Sequence, residues 1–134
     1  MDKYKSLIDK AILARESSYS PYSTYRVGAS LLCKDGEIYT GCNIENASYS
    51  LTVCAERTAI FKAISDGKRD FLAIAIVGGI DKISEFAYPC GACRQVLSEF
   101  CNEDFEVVLY DGENTEIHTL GQLFPHSFDK KSIK

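Results

Sequence analysis

Phe71-Leu72-Ala73-Ile74-Ala75-Ile76-Val77 is an unbroken apolar run, closed by Gly78-Gly79. A strand with one wet face would alternate polar and apolar residues. A run with no polar break suits a strand buried on both faces. Such a strand needs helices on both sides, and the flanking sequence supplies them. Before it, Val53 to Ser65 has helical periodicity, and Gly67 is a natural stop. After it, Cys90 to Cys101 reads as a helix with Pro89 just ahead of it. Further out, Val27 to Cys33 and Ile38 to Ile44 read as strands joined by an Asp-Gly turn in Lys34-Asp35-Gly36-Glu37. Asp2 to Ser17 sets Tyr4, Leu7, Ile8, Ala11 and Ile12 at helical spacing, with Lys and Glu opposite. Ser18 to Ser23, with Pro21 and its serines, is loop-like, and Ala47 to Thr52 is polar and irregular. Val107 to Tyr110 is a strand, Asp111-Gly112 a turn, Thr115 to His118 a last strand, and Leu120 to Phe124 a short helix closed by Pro125.

The order is therefore α-β-β-α-β-α-β with a weaker β-α tail. It predicts an α/β protein whose sheet carries helices on both faces. An opening hairpin that feeds helical crossovers makes the sheet mixed. Ligand sites in such sheets lie where strands hand over to helices.

A chain of 134 residues fits one domain, and no repeat, low-complexity stretch or linker divides it. The 46% hydrophobic and 25% charged content is that of a soluble globular protein. No apolar run approaches the roughly 20 residues of a bilayer span, so no membrane partner is expected. Met1-Asp2-Lys3-Tyr4-Lys5 passes straight into the charged helical pattern, without the apolar stretch of a secretory signal, and the expected location is the cytoplasm. A net charge of −4 leaves no basic stripe for nucleic acid, while a small neutral substrate remains compatible. Without a secretion signal, six cysteines point to metal, catalysis or core packing rather than to disulfides.

The chemistry concentrates at two helix starts. Cys54-Ala55-Glu56 opens one, and Pro89-Cys90-Gly91-Ala92-Cys93 opens the other. Helix N-termini favour thiolates, and two cysteines separated by two residues can share one ion. Three thiolates fill three of zinc's four tetrahedral positions, which is the catalytic rather than the closed structural pattern. Glu56, two residues after Cys54, can face the open position and move protons there. Three thiolates also leave excess negative charge, so Arg57 and Arg94 are expected to hydrogen-bond cysteine sulfurs and withdraw it. A Cys-x-x-Cys alone is more often a structural zinc half-site or a redox pair; a redox pair does not explain Cys54, Glu56 or the paired arginines. Cys33, Cys42 and Cys101 read as small buried hydrophobes. Cys42 or Cys101 would be the fourth ligand if the zinc site were closed and non-catalytic. His118 and His126 read as surface or structural.

Beyond the zinc motif, the blocks Tyr19-Ser20-Pro21-Tyr22-Ser23, Val27-Gly28-Ala29, Gly41-Cys42-Asn43-Ile44-Glu45-Asn46-Ala47, Cys54-Ala55-Glu56-Arg57-Thr58-Ala59 and Pro89-Cys90-Gly91-Ala92-Cys93-Arg94-Gln95-Val96 run along nearly the whole chain. In these blocks the sequence resembles the small homotetrameric cytidine deaminases. The resemblance implies a three-layer α-β-α sandwich with a mixed five-stranded sheet and one zinc ion per subunit on Cys54, Cys90 and Cys93. It implies Glu56 as the catalytic proton carrier in deamination of cytidine and deoxycytidine. It assigns Asn43 and Glu45 to the ribose and backbone groups near Ala55 and Cys90 to the pyrimidine edge. Ala47, Tyr49 and Phe128 fall to parts of a pocket shared between subunits. Tyr25 stands where the family usually has a Phe stacked near the pyrimidine, so its added hydroxyl needs a partner. Related deaminases that act on blasticidin-type nucleosides, free bases or polynucleotides share the zinc and the glutamate. The Asn43-x-Glu45 pattern favours a free nucleoside among them.

Overall fold

The structure is a computed structural model that describes residues 3–133. The chain runs α1 (Lys5–Arg15), β1 (Arg26–Cys33), β2 (Ile38–Cys42), α2 (Ala55–Ser65), β3 (Phe71–Gly79), α3 (Gly91–Phe100), β4 (Glu106–Tyr110), β5 (Thr115–Thr119) and α4 (Leu120–Leu123). Single 3-10 turns lie at Tyr49–Leu51 and Lys130–Ser132. The five strands form one sheet in the order β2-β1-β3-β4-β5. β1 pairs antiparallel with both β2 and β3, β3 pairs parallel with β4, and β4 pairs antiparallel with β5. The sheet is mixed because its only parallel pair is joined through α3, while the hairpins at either edge reverse direction.

The apolar run is the central strand. Ile74 and Ile76 point into a core shared with Ala59, Ile60 and Ala63 of α2 and Leu97 of α3. Ala73, Ala75 and Val77 point the other way, into a second core with Leu7, Ile8 and Ala11 of α1. Helices thus cover both faces in three layers, as the run required. Leu72, near the strand's start, is 42% exposed, so the helices do not cover the run over its whole length.

Small residues on the strands let the helices approach. A Cβ on Gly28 would lie 2.1 Å from the carbonyl oxygen of Ala11 and 2.5 Å from the nitrogen of Arg15, so α1 rests directly on β1. A Cβ on Gly41 would lie 2.6 Å from the backbone at both Ala55 and Ala59, so the first turn of α2 rests directly on β2. Arg15 completes the α1 packing from a buried position. Its Nε donates to the carbonyl of Arg26 at 3.1 Å, and its Nη2 to that of Gly79 at 2.6 Å. Periodicity puts this residue simply among the charged ones. Its buried role follows from carbonyls at two strand ends that only the fold brings together.

Element boundaries differ from the sequence reading where the backbone has other partners. The first helix spans Lys5–Arg15 rather than Asp2 to Ser17; Asp2 lies outside the described residues. The strand expected through Ile44 ends at Cys42, because Ile44 leaves the ladder to bridge Tyr19 and Val53. That second bridge holds Val53 extended, so α2 begins at Ala55 instead of Val53, with Cys54 as its N-cap.

Gly28→Ala should lower folding stability by at least about 2 kcal/mol, because two rigid backbones must separate to admit the methyl group. Gly91→Ala, where a Cβ meets nothing within 4 Å, is the control. Urea denaturation midpoints should fall for Gly28→Ala and stay near the parent for Gly91→Ala.

Candidate metal centre and active site

Cys54 and Cys90 are the N-cap residues of α2 and α3, and both have extended backbones. Neither side chain caps its helix by a hydrogen bond, so both sulfurs are free to turn outward. The Cys54 and Cys90 sulfurs are 3.8 Å apart, and those of Cys90 and Cys93 are 3.6 Å apart. Two sulfurs held tetrahedrally at about 2.3 Å from zinc would be roughly 3.8 Å apart, so the three fit that ion. Among the described residues, no fourth His, Cys, Asp or Glu atom lies within 4.8 Å of all three. Cys42 and Cys101, the candidates for a closed site, stand outside this group. Cys42 and Cys101 are half-buried rather than buried; Cys101 packs against the core, and burial pushes its thiol up to about 12. Cys33 is buried and its thiol is also raised by burial.

The thiols divide their protons unequally. The Cys54 thiol is held well below its ordinary range by a hydrogen bond from Cys93 and by the Arg57 guanidinium, whose Nη2 lies 3.5 Å from its sulfur. The Cys93 thiol, which gives that hydrogen bond, is correspondingly raised. Arg57 therefore hydrogen-bonds a cysteine sulfur as its position implied, and its Nε is buried with no hydrogen-bond partner among the described residues. Arg94 does not. Its Nε donates to the carbonyl of Pro89 at 2.7 Å and its Nη1 to that of Leu123 at 2.6 Å. From the first turn of α3, backbone acceptors on either side of the helix lie within reach, and they take the guanidinium away from the sulfurs.

Glu56 lies in the first turn of α2, 5% exposed. Burial, with a smaller contribution from the charge on Cys54, pushes its carboxyl up to about 7. It lines a pocket of about 350 Å³ together with Cys54, Ala55 and Cys90. Asn43, Glu45 and Tyr25 line the same pocket. Asn43 and Glu45 are both buried and strongly engaged. The Asn43 Oδ1 accepts from the Val27 nitrogen at 2.9 Å and from the Ser18 hydroxyl, while its Nδ2 donates to the Tyr25 carbonyl at 2.8 Å. The Glu45 Oε1 accepts from the nitrogens of Tyr22 and Ser23 at 3.0 and 3.2 Å, and its Oε2 from the Ser23 hydroxyl. The bonds from Ser23 hold this carboxyl below its usual range. The Tyr25 hydroxyl finds its partner in Glu85, at 3.1 Å.

Three residues expected in the pocket lie outside it within the single chain. Ala47 is exposed, Tyr49 is 63% exposed and packs edge-on against Tyr22, and Phe128 is 61% exposed. Conversely, Phe86, Ala87 and Tyr88 line the pocket without having been singled out. The signal available for them was adjacency, since they immediately precede Pro89-Cys90. His118 sits on the outer strand β5, half-buried, with its Nε2 3.0 Å from Glu116.

A buried carboxyl with raised proton affinity beside a three-thiol cluster that fits zinc is the equipment of a zinc-dependent deaminase. The family model described as the cytidine and deoxycytidylate deaminase zinc-binding region matches residues 1–109. A cytidine deaminase of Halalkalibacterium halodurans is 52% identical over 135 residues, covering 99% of this chain and 98% of that protein. One from Sporosarcina psychrophila is 49% identical over 130 residues, covering 96% and 93%. The crystal structure of cytidine deaminase from Burkholderia pseudomallei superimposes with a TM-score of 0.86 at 45% identity, covering 96% of this chain and 100% of that one. The chain belongs to the cytidine deaminase family.

Two outcomes test the electrostatics without any turnover. In zinc-free protein, Arg57→Gln should raise the Cys54 pKa, read from the pH dependence of iodoacetamide alkylation at that residue. Glu56 titrates higher in the folded chain than its ordinary 4.5, so between those values the folded state holds a proton that the unfolded state has released. In zinc-free protein the Glu56 contribution to folding stability should therefore fall as pH rises from about 4.5 to 7, by up to about 3 kcal/mol, while the lowered Cys54 thiol contributes in the opposite sense. The difference in melting temperature between the parent and Glu56→Gln, followed against pH, should show the Glu56 part of that dependence.

Proposed function

We propose that this chain hydrolyses cytidine and deoxycytidine to uridine and deoxyuridine with release of ammonia, a reaction of pyrimidine salvage. The observation that carries the reading is Glu56, a buried carboxyl whose proton affinity lies near neutrality, set in the same pocket as the thiol cluster. Cys54, Cys90 and Cys93 would hold zinc, which when bound supplies Lewis-acid activation of the attacking water. Glu56 accepts a proton from that water and delivers it to N3 of the pyrimidine, which makes C4 electrophilic. The water's oxygen adds to C4. Glu56 then carries a second proton to the exocyclic amino group, the C4–N bond breaks, and ammonia leaves. One carboxyl thus serves as base and acid in turn. The N–H of Ala55, the first residue of α2, has no carbonyl within the helix to accept it and is suited to hold the pyrimidine edge.

The engaged state of Asn43 and Glu45 supports a ribose role. Asn43 has both acceptor positions and one of its two amide hydrogens in use, which leaves one donor. Glu45 has three of about four acceptor positions in use, which leaves one acceptor. One free donor and one free acceptor at the same wall suit the hydroxyls of a nucleoside sugar. Tyr25 would lie near the base.

Ala47, Tyr49 and Phe128 serve a neighbour's pocket in this reading, and the assembly is a homotetramer. Exposed Tyr22, Ile44, Tyr49, Leu51 and Phe61 supply apolar surface that an interface would cover. No helix among the described residues is long and apolar enough to cross a membrane. The chain is read as one catalytic domain, residues 1–134, working in the cytoplasm.

Cytidine turnover is followed by ultraviolet absorbance, beside deoxycytidine, cytosine and blasticidin S, with and without a chelator. Cytidine and deoxycytidine should be consumed, and the chelator should stop the reaction. Glu56→Gln should keep its zinc stoichiometry and lose at least about 100-fold in kcat; a variant that still turns over well would remove Glu56 from the mechanism. Light scattering checks the tetramer.

A further inference from the structure

The segment between β3 and Pro89 forms one wall of the pocket, and it is tied down at two places. Glu85 makes an isolated antiparallel bridge to Gly78 of β3, and its Oε2 accepts from the Tyr25 hydroxyl at 3.1 Å. Three residues on, the Tyr88 hydroxyl donates to Glu116 of β5 at 2.7 Å. Phe86, Ala87 and Tyr88, which lie between or at these ties, face the pocket. The contact beneath is close. A Cβ on Gly78 would lie 3.0 Å from the Cβ of Ala87 and 3.1 Å from both Cε2 and the hydroxyl oxygen of Tyr25. The Tyr25 ring and Ala87 therefore both lie over the bare backbone of Gly78, and the hydroxyl reaches on to Glu85.

We propose that the Tyr25 hydroxyl and Glu85 form a latch that fixes the Phe86–Tyr88 wall against the pocket, which makes Glu85 and the Tyr25 hydroxyl positioning groups for nucleoside binding. The reading of the pocket as a nucleoside site underlies this assignment. The ring of Tyr25 lines the pocket itself, and the hydroxyl acts through the wall. The latch sits on the segment that leads directly into Cys90, so the wall and a metal ligand share one backbone. Burial and the neighbouring Glu85 push the Tyr25 phenol up to about 12, so it stays a hydrogen-bond donor across the neutral range. Glu85 contributes through a backbone bridge and a side-chain acceptor, and Glu85→Ala removes only the second.

The test is a double-mutant cycle on zinc-loaded protein with Tyr25→Phe, Glu85→Ala and the pair together. Each single variant should raise KM for cytidine about three- to tenfold, the effect of one lost hydrogen bond, while kcat changes much less. The pair should be no worse than either single, because both cut the same bond. Hydrogen exchange of the amides at 83–88 should quicken equally in all three variants, with α1 amides unchanged. Effects on KM that multiply in the pair, or exchange at 83–88 identical to the parent, would overturn the latch. The exchange measurement needs no substrate. Quickened exchange in a protein that never consumes cytidine would support the latch and overturn the deaminase reading alone.

Discussion

The structure depends above all on bringing three sulfurs from two helix starts to within bonding range of one ion. Cys54 reaches the site only because Gly41 lets α2 lie directly on β2, and because the Ile44–Val53 bridge delays the helix until Ala55. Cys90 and Cys93 reach it because β3 ends at Gly79 and its continuation returns across the sheet's end to start α3. Separations of 3.6 and 3.8 Å leave little tolerance. A shift of either helix by an ångström would move a sulfur out of tetrahedral range. Metal binding and folding are coupled in such a site, since the unfolded chain has no preformed set of ligands.

The same economy governs the loop around Thr24. Thr24 has a φ of 60°, a conformation that costs a β-branched residue roughly 1–3 kcal/mol. Glu45 offsets this by accepting three hydrogen bonds from Tyr22 and Ser23, and Asn43 ties Ser18, Tyr25 and Val27 together from the other side. Asn43 and Glu45 could be read from sequence either as turn residues or as ribose ligands. The geometry makes them the framework of a strained loop, and the remaining donor and acceptor are what a ligand would find. Loss of either side chain would therefore disturb the loop as well as any contact with a sugar.

The layered fold was legible because its signals are local and strong. The apolar run of β3, the Asp-Gly hairpin at Asp35-Gly36 and the cysteines at helix starts each depend on neighbours a few residues away. Arg57 was legible for the same reason, since it lies three residues from Cys54. Arg94 was not, because the Leu123 carbonyl that competes for it comes from α4, distant in sequence and near only after folding. Arg15 and Glu85 were hidden likewise. Arg15 meets carbonyls at the ends of two strands, and Glu85 lies sixty residues from the hydroxyl that it accepts. Ala47, Tyr49 and Phe128 show the opposite situation: resemblance gave them a role that the geometry of one chain does not engage.

Arg94's absence from the cluster sharpens the electrostatics. Three thiolates around a dication would carry a net charge of −1, and one arginine rather than two stands against it. Arg57 reduces that charge at Cys54, the thiol held lowest, and so acts on the sulfur nearest in sequence to Glu56. Glu56 experiences two opposing influences. A bound dication would draw its pKa down and leave it a poor base. Burial and the charge on Cys54 push it up. A carboxyl that must both take and return a proton works best when these influences nearly balance close to neutrality. In the proposed mechanism the enclosure of Glu56 opposes the pull that a bound metal would exert on its carboxyl.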